Sequence, residues 1–90
     1  MNEPKKGRSN NARMLVAKIK PQFPVDTPEG KLMFAIIERA ILDANGKHEH
    51  REEAKRYLRG PIPYAVACGV DPEWIRFMAK KIHFSIAAAE

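Results

Sequence analysis

Ninety residues hold one small domain, and an apolar content of 44% supports a core without disulfide or metal staples. A single cysteine, Cys68, excludes an internal disulfide, and no apolar stretch approaches the roughly 20 residues that span a bilayer. The formal charge of +5 lies wholly in residues 1–20, where Lys5, Lys6, Arg8, Arg13, Lys18 and Lys20 face Glu3 alone, while residues 21–90 sum to zero.

The opening MNEPKKGRSNNAR has almost no apolar residues and no period, so it is expected to be disordered on its own. A basic segment beside a neutral body suits phosphate contact or an anionic protein partner, and a solubilising tail has the same composition. Met14, Leu15, Val16 and Ile19 allow one or two helical turns. Pro21 and Pro24 then predict an extended linker, with Phe23 and Val25 as its anchors on the body. The expected division is therefore a flexible basic arm and linker over residues 1–26 and a helical domain over 27–90.

The first strong helix starts at Thr27, a capping residue followed by Pro28 at the first helical position and by Glu29 near the positive helix end. Met33, Ile36, Ile37, Ala40, Ile41 and Ala44 follow the spacing of one buried face, which Leu32, Phe34 and Leu42 widen. This is expected to be the central helix, ending at Asn45-Gly46 with Gly46 free to take positive φ. A second helix, from about His48 to Arg59, carries a narrow stripe of Ala54, Tyr57 and Leu58 and stops at Gly60. A short third helix covers about Ile62 to Cys68, and Gly69 closes it. Asp71 and Pro72 open the last helix, with Trp74, Ile75, Met78, Ile82 and Ile86 on one face. No strand pattern or repeat competes, and the fold class is all-α, with about four helices.

Little in the chain suggests catalysis or a cofactor. His48 and His50 are two apart, not the three or four that would share a helix face, and His83 stands alone. Cys68 lies in an apolar run with no basic neighbour to lower its thiol pKa, as expected of a reduced thiol in the cytoplasm. Glu52 and Glu53 fit a solvated helix face better than an acid/base pair. No Gly-rich phosphate loop, metal set or small-molecule substrate is indicated, and the expectation is a protein that is not an enzyme.

The segment PIPYAVACGVDPEWIRFMAK carries more information. Two helices joined by a short Gly-containing turn are the local geometry of a helix-turn-helix unit. With Pro61 as the first of twenty positions, Ala65 falls where a small side chain lets the helices approach, and Gly69 where the turn needs positive φ. Tyr64, Cys68, Val70, Ile75 and Met78 fall at the template's apolar positions; any tightly packed helical hairpin would match several of these.

Two features stand against base reading. The start of the would-be recognition helix, which normally meets base edges, is Asp71-Pro72-Glu73, whose carboxylates face phosphate repulsion, although a Glu can accept from cytosine N4. Phe77 and Phe84, seven apart, make an aromatic pair more typical of a protein contact, unless both are buried. The outward cations are Arg76, Lys80 and Lys81, with Arg51, Lys55, Arg56 and Arg59 on the preceding helix.

Over about residues 31–80, the words AIIERAILDA, EAKRYL and AVACGVDPEWIR resemble a pattern in small bacteriophage and prophage proteins. In that group an Ala-x-x-aromatic-Leu helix is followed by Val-Cys, then Gly-hydrophobic-Asp-Pro and a helix with Arg. Where this chain has GPIPYA, the group usually has a polar-Asp-Phe turn. The resemblance implies a phage-encoded accessory or regulatory protein acting in the cytoplasm of a bacterial host. Two functions are thus expected to compete. One is DNA binding through Lys5, Lys6, Arg8, Arg13, Lys55, Arg59, Arg76, Lys80 and Lys81. The other is binding of a host transcription or defence protein through Phe77 and Phe84. A homodimer is compatible with either; no membrane partner is expected.

Overall fold

The computed structural model describes the backbone of residues 4–46 and 49–87, with side chains from Asn11 onward in that range. Its elements are α1 (Pro4–Ile19), a 3-10 turn (Lys20–Gln22), α2 (Pro28–Asn45), α3 (Arg51–Arg59), α4 (Pro63–Ala67) and α5 (Pro72–Lys81). The described residues contain no strand, and the chain is all-α. Helix α2 is the hub, packing against α1, α3 and α4, while α1 also packs against α5.

The buried stripe of α2 is Gly30, Phe34, Ile37, Ile41 and Ala44, a steady i, i+4, i+7, i+11, i+14 progression. The wider face expected from composition is therefore too wide. Leu32 is 65% exposed and Ile36 also faces out, because both lie on the far side of a cylinder whose inward line runs through Phe34 and Ile37. The Thr27 hydroxyl caps the helix by accepting from the Gly30 amide at 3.0 Å, and it donates to the Pro24 carbonyl at 3.1 Å. Gly46 ends α2 at φ −84° and ψ −174°, so the positive φ expected there is not used.

The expected boundary after residue 26 does not separate arm from body. Ala12, Leu15, Ile19 and Phe23 are core residues, at i, i+3 and i+7 along α1 and then just beyond the 3-10 turn. The Phe23 ring lies 5.1 Å from that of Phe34, centroid to centroid, tilted by 54°. The sequence signal missed was Ala12, which extends the Leu15–Ile19 stripe by a turn. Of the stretch expected to be disordered, residues 4–13 belong to α1 instead, and residues 1–3 lie outside the described residues, as do Lys47 and His48.

Helices α4 and α5 end in the same way. In α4 the Gly69 amide donates to Val66 and the Val70 amide to Ala65, with Gly69 at φ 81°. In α5 the His83 amide donates to Lys80 and the Phe84 amide to Ala79, with His83 at φ 60°. Both are Schellman closures, and each brings its next residue, Val70 or Phe84, into the core. The helix expected to run to Ile86 thus stops at Lys81, and the chain doubles back so that Phe84 can be buried. Only the first closure has the glycine suited to it. His83→Gly is therefore expected to stabilise the domain by about 1 kcal/mol, by removing a left-handed non-glycine residue. Thermal melts of the variant and parent measure this.

Ile62, just before Pro63, is also left-handed, at φ 41°, and completely buried. A β-branched residue there stores strain of order 1–3 kcal/mol. Its carbonyl accepts from the Ala65 and Val66 amides, so the strained residue starts α4 while its side chain fills the core.

Candidate nucleic-acid interface

The corner between α4 and α5 has the small-residue contact and the turn of a helix-turn-helix unit. Ala65, Val70 and Ile75 are buried, Gly69 has positive φ, and the Asp71 carboxylate caps α5 by accepting from the Glu73 amide at 2.9 Å. Cys68 and Met78 are half-buried, and the Cys68 thiol donates to the Met33 thioether across 3.6 Å, tying the corner to α2. Tyr64 departs from the template, since it stands exposed.

Arg76, the sequence's candidate for a base contact, faces inward. Its guanidinium donates to the carbonyls of Leu58 at 3.0 Å and Gly60 at 2.7 Å, and to Glu73 at 2.7 Å. Those carbonyls lie at the C-terminal end of α3, which lacks a donor of its own for them, so Arg76 caps α3 from α5. Arg59 is engaged differently: it reaches over to the Ile86 carbonyl at 2.6 Å and holds the C-terminal segment against α3. Of the two aromatics expected to meet a protein, Phe84 is 6% exposed and belongs to the core. Phe77 is 56% exposed, with the Lys81 ammonium 5.6 Å from its ring centroid.

The direction of α1 places the remaining cations: those of its N-terminal half share an end with Lys80 and Lys81, and Lys18, in its last turn, lies toward the other. Asn11 of α1 shares a concavity with Phe84 and Ser85, and Gln22, just past α1, shares another with Asp71 and Trp74. Helix α1 therefore runs antiparallel to α5. Its N-terminal half lies toward the basic end of α5, where Lys80 and Lys81 are exposed, and away from the acidic start at Asp71 and Glu73. Arg13 and Lys18 are exposed on α1, and Lys55 is half-buried on α3. The side chains of Lys5, Lys6 and Arg8 lie outside the described residues, although their backbone belongs to α1.

Tyr57 is half-buried between α2 and α3, and its titration is displaced. Burial, reinforced by the neighbouring Tyr64, pushes its hydroxyl above the ordinary tyrosine value. The described residues hold no cluster of three or more His, Cys, Asp or Glu side chains able to grip a metal ion, and no helix long and apolar enough to cross a membrane. The structure thus defines a small all-α domain with a helix-turn-helix-like corner. Comparison of the chain with protein-family models, curated proteins and solved structures gives no match.

Proposed function

We propose that this chain is a small regulatory protein of phage type that binds DNA, gripping the phosphate backbone with α1 and the adjoining basic end of α5. The observation that carries this reading is the charge pattern of α1. Lys5, Lys6, Arg8, Arg13 and Lys18 lie along one helix of 16 residues that contains no acid. Three of these cations lie in the first five residues of the helix, where its own dipole disfavours positive charge. A sequence selected for helix stability alone would place acids there. A polyanion alongside α1 would offset both the dipole and the mutual repulsion of the lysines and arginines. At 1.5 Å per residue the helix is about 24 Å long, enough to pass several phosphates of a duplex.

Base reading is the weaker part of the helix-turn-helix analogy here, because Asp71 and Arg76 are both engaged within the fold. The complex is expected to be strongly salt-dependent and weakly sequence-selective. Replacing Lys5, Lys6, Arg8 and Arg13 with Gln keeps Ala12, Leu15 and Ile19, the described core residues of α1. If these four side chains meet phosphate, the slope of log K against log salt should fall by about 0.9 for each phosphate no longer neutralised. Fluorescence anisotropy with a duplex at several salt concentrations measures the slope, and an unchanged value would overturn the reading. A second reading, in which a protein partner docks on the α5 face, is favoured by the exposure of Phe77. It predicts that Phe77→Ala abolishes activity while the four Gln substitutions are silent.

A further inference from the structure

A concavity outside the helix-turn-helix corner lies where four parts of the chain meet. Asn11 comes from α1, Asn45 from the end of α2, Arg51 and Lys55 from α3, and His83 and Ser85 from the turn after α5. Arg51 and Lys55 are four apart and so share a face of α3. Ala44 and Phe84, both buried, form its apolar part. Among the described residues no carboxylate lines it. Glu52 pairs with Arg51, its Oε2 3.7 Å from the Arg51 Nε, without itself lining the concavity.

The chemistry of this lining is one-sided. An arginine fork, an ammonium, an imidazole, two carboxamides and a hydroxyl all offer hydrogen-bond donors, and the arginine and lysine bring fixed positive charge. Bringing such groups together costs repulsion, which the Glu52 carboxylate relieves at Arg51. The Schellman closure at His83 holds the imidazole and Ser85 over the cavity in a backbone conformation that histidine adopts only at a cost. A tetrahedral oxyanion matches this set, because it accepts from several directions at once and brings negative charge to Lys55 and to the Arg51 fork.

We propose that this concavity is a binding site for a phosphate monoester. A monoester group presents three terminal oxygens to donors that converge from separate elements, whereas a phosphodiester within a duplex must leave on two sides. The site goes beyond the DNA-binding reading, and it stands whether or not α1 meets DNA. The same group could arrive on a small phosphorylated molecule or on the 5′ end of a nucleic acid.

The test is an amide chemical-shift titration of the full chain with inorganic phosphate, against chloride at matched ionic strength. Saturable shifts confined to Asn11, Asn45, Arg51, Lys55 and residues 83–85 are the expected result. Lys55→Gln and Arg51→Gln should each weaken binding about tenfold or more while leaving the circular dichroism spectrum unchanged. A nucleoside 5′-monophosphate and a 5′-phosphorylated oligonucleotide then separate the two sources. Tighter binding of the phosphorylated oligonucleotide than of both its unphosphorylated form and the mononucleotide assigns the site to nucleic-acid ends, and equal affinity of mononucleotide and phosphorylated oligonucleotide assigns it to small ligands. Non-saturating shifts spread over all surface cations, or undiminished binding in both Gln variants, would overturn the proposal. Because inorganic phosphate is the primary probe, failure here leaves the salt-slope experiment on α1 unaffected.

Discussion

Gly30→Ala is expected to destabilise the domain by about 3 kcal/mol or more, a larger effect than any other single added methyl group should have. The sign is the informative part. Judged by helix propensity alone, alanine within a helix is better than glycine by about 1 kcal/mol, so the substitution should stabilise. Gly30 is buried in the first turn of α2, where the Pro24 carbonyl passes over it, and a Cβ would overlap that carbonyl and the proline ring. The obstacle is backbone, so it cannot rotate away. Thr27 fixes it further, since its hydroxyl is bonded both to that carbonyl and to the Gly30 amide. Relief requires moving the residue 23–27 loop, and with it Phe23 from its place against Phe34. At roughly 4–8 °C per kcal/mol for a domain of this size, the melting temperature should fall by well over 10 °C. A rise in melting temperature would show that the loop does not cross α2 at this point.

The contrast between Gly30 and Gly69 shows what was legible in the sequence. Gly69 was readable because its reason is local: a left-handed residue closing a helix just before an Asp-Pro helix start. Nothing within 4 Å would meet a Cβ there, so φ alone demands glycine. Gly30 looks like an ordinary helix residue until the chain six residues earlier is seen folding over it. The same distinction runs through the rest of the molecule. Helices α2 to α5, the Thr27 and Asp71 caps and the centrality of α2 follow from period and capping chemistry and are present, although α5 ends early and of α1 only one or two turns are expected. The attachment of residues 11–26 was obscured because prolines suggested a linker and polar residues suggested a tail. The inward line of α2 was blurred because its apolar residues exceed what one face can bury. The candidate site was the least legible part, since a lysine or arginine is the same letter whether it faces phosphate or caps a neighbouring helix. Arg59, Arg76 and Phe84 could be separated from Lys80, Lys81 and Phe77 only by tertiary structure.

Arg76→Ala is expected to cost about 2 kcal/mol of folding stability, through the charge-assisted hydrogen bonds it removes from the Leu58 and Gly60 carbonyls. Its ion pair with Glu73 adds little, because the Glu73 side chain is 78% exposed and water screens it. The Arg76 side chain is 23% exposed, so replacing it also opens a gap between α3 and α5 that solvent fills poorly. Arg76→Lys should recover only part of the stability, since an ammonium lacks the planar fork that lets one nitrogen serve two carbonyls while the other meets Glu73. Phe77→Ala, one residue on but pointing to solvent, should shift stability by no more than about 0.5 kcal/mol. Urea unfolding of the three variants distinguishes a helix-capping arginine from a base-reading one. A capping role requires Arg76→Ala to lose stability, with Arg76→Lys intermediate and DNA affinity per folded molecule unchanged. If Arg76→Ala instead unfolds like the parent while its DNA binding weakens and its sequence preference relaxes, Arg76 turns outward in the complex, and the helix-turn-helix unit reads bases after all.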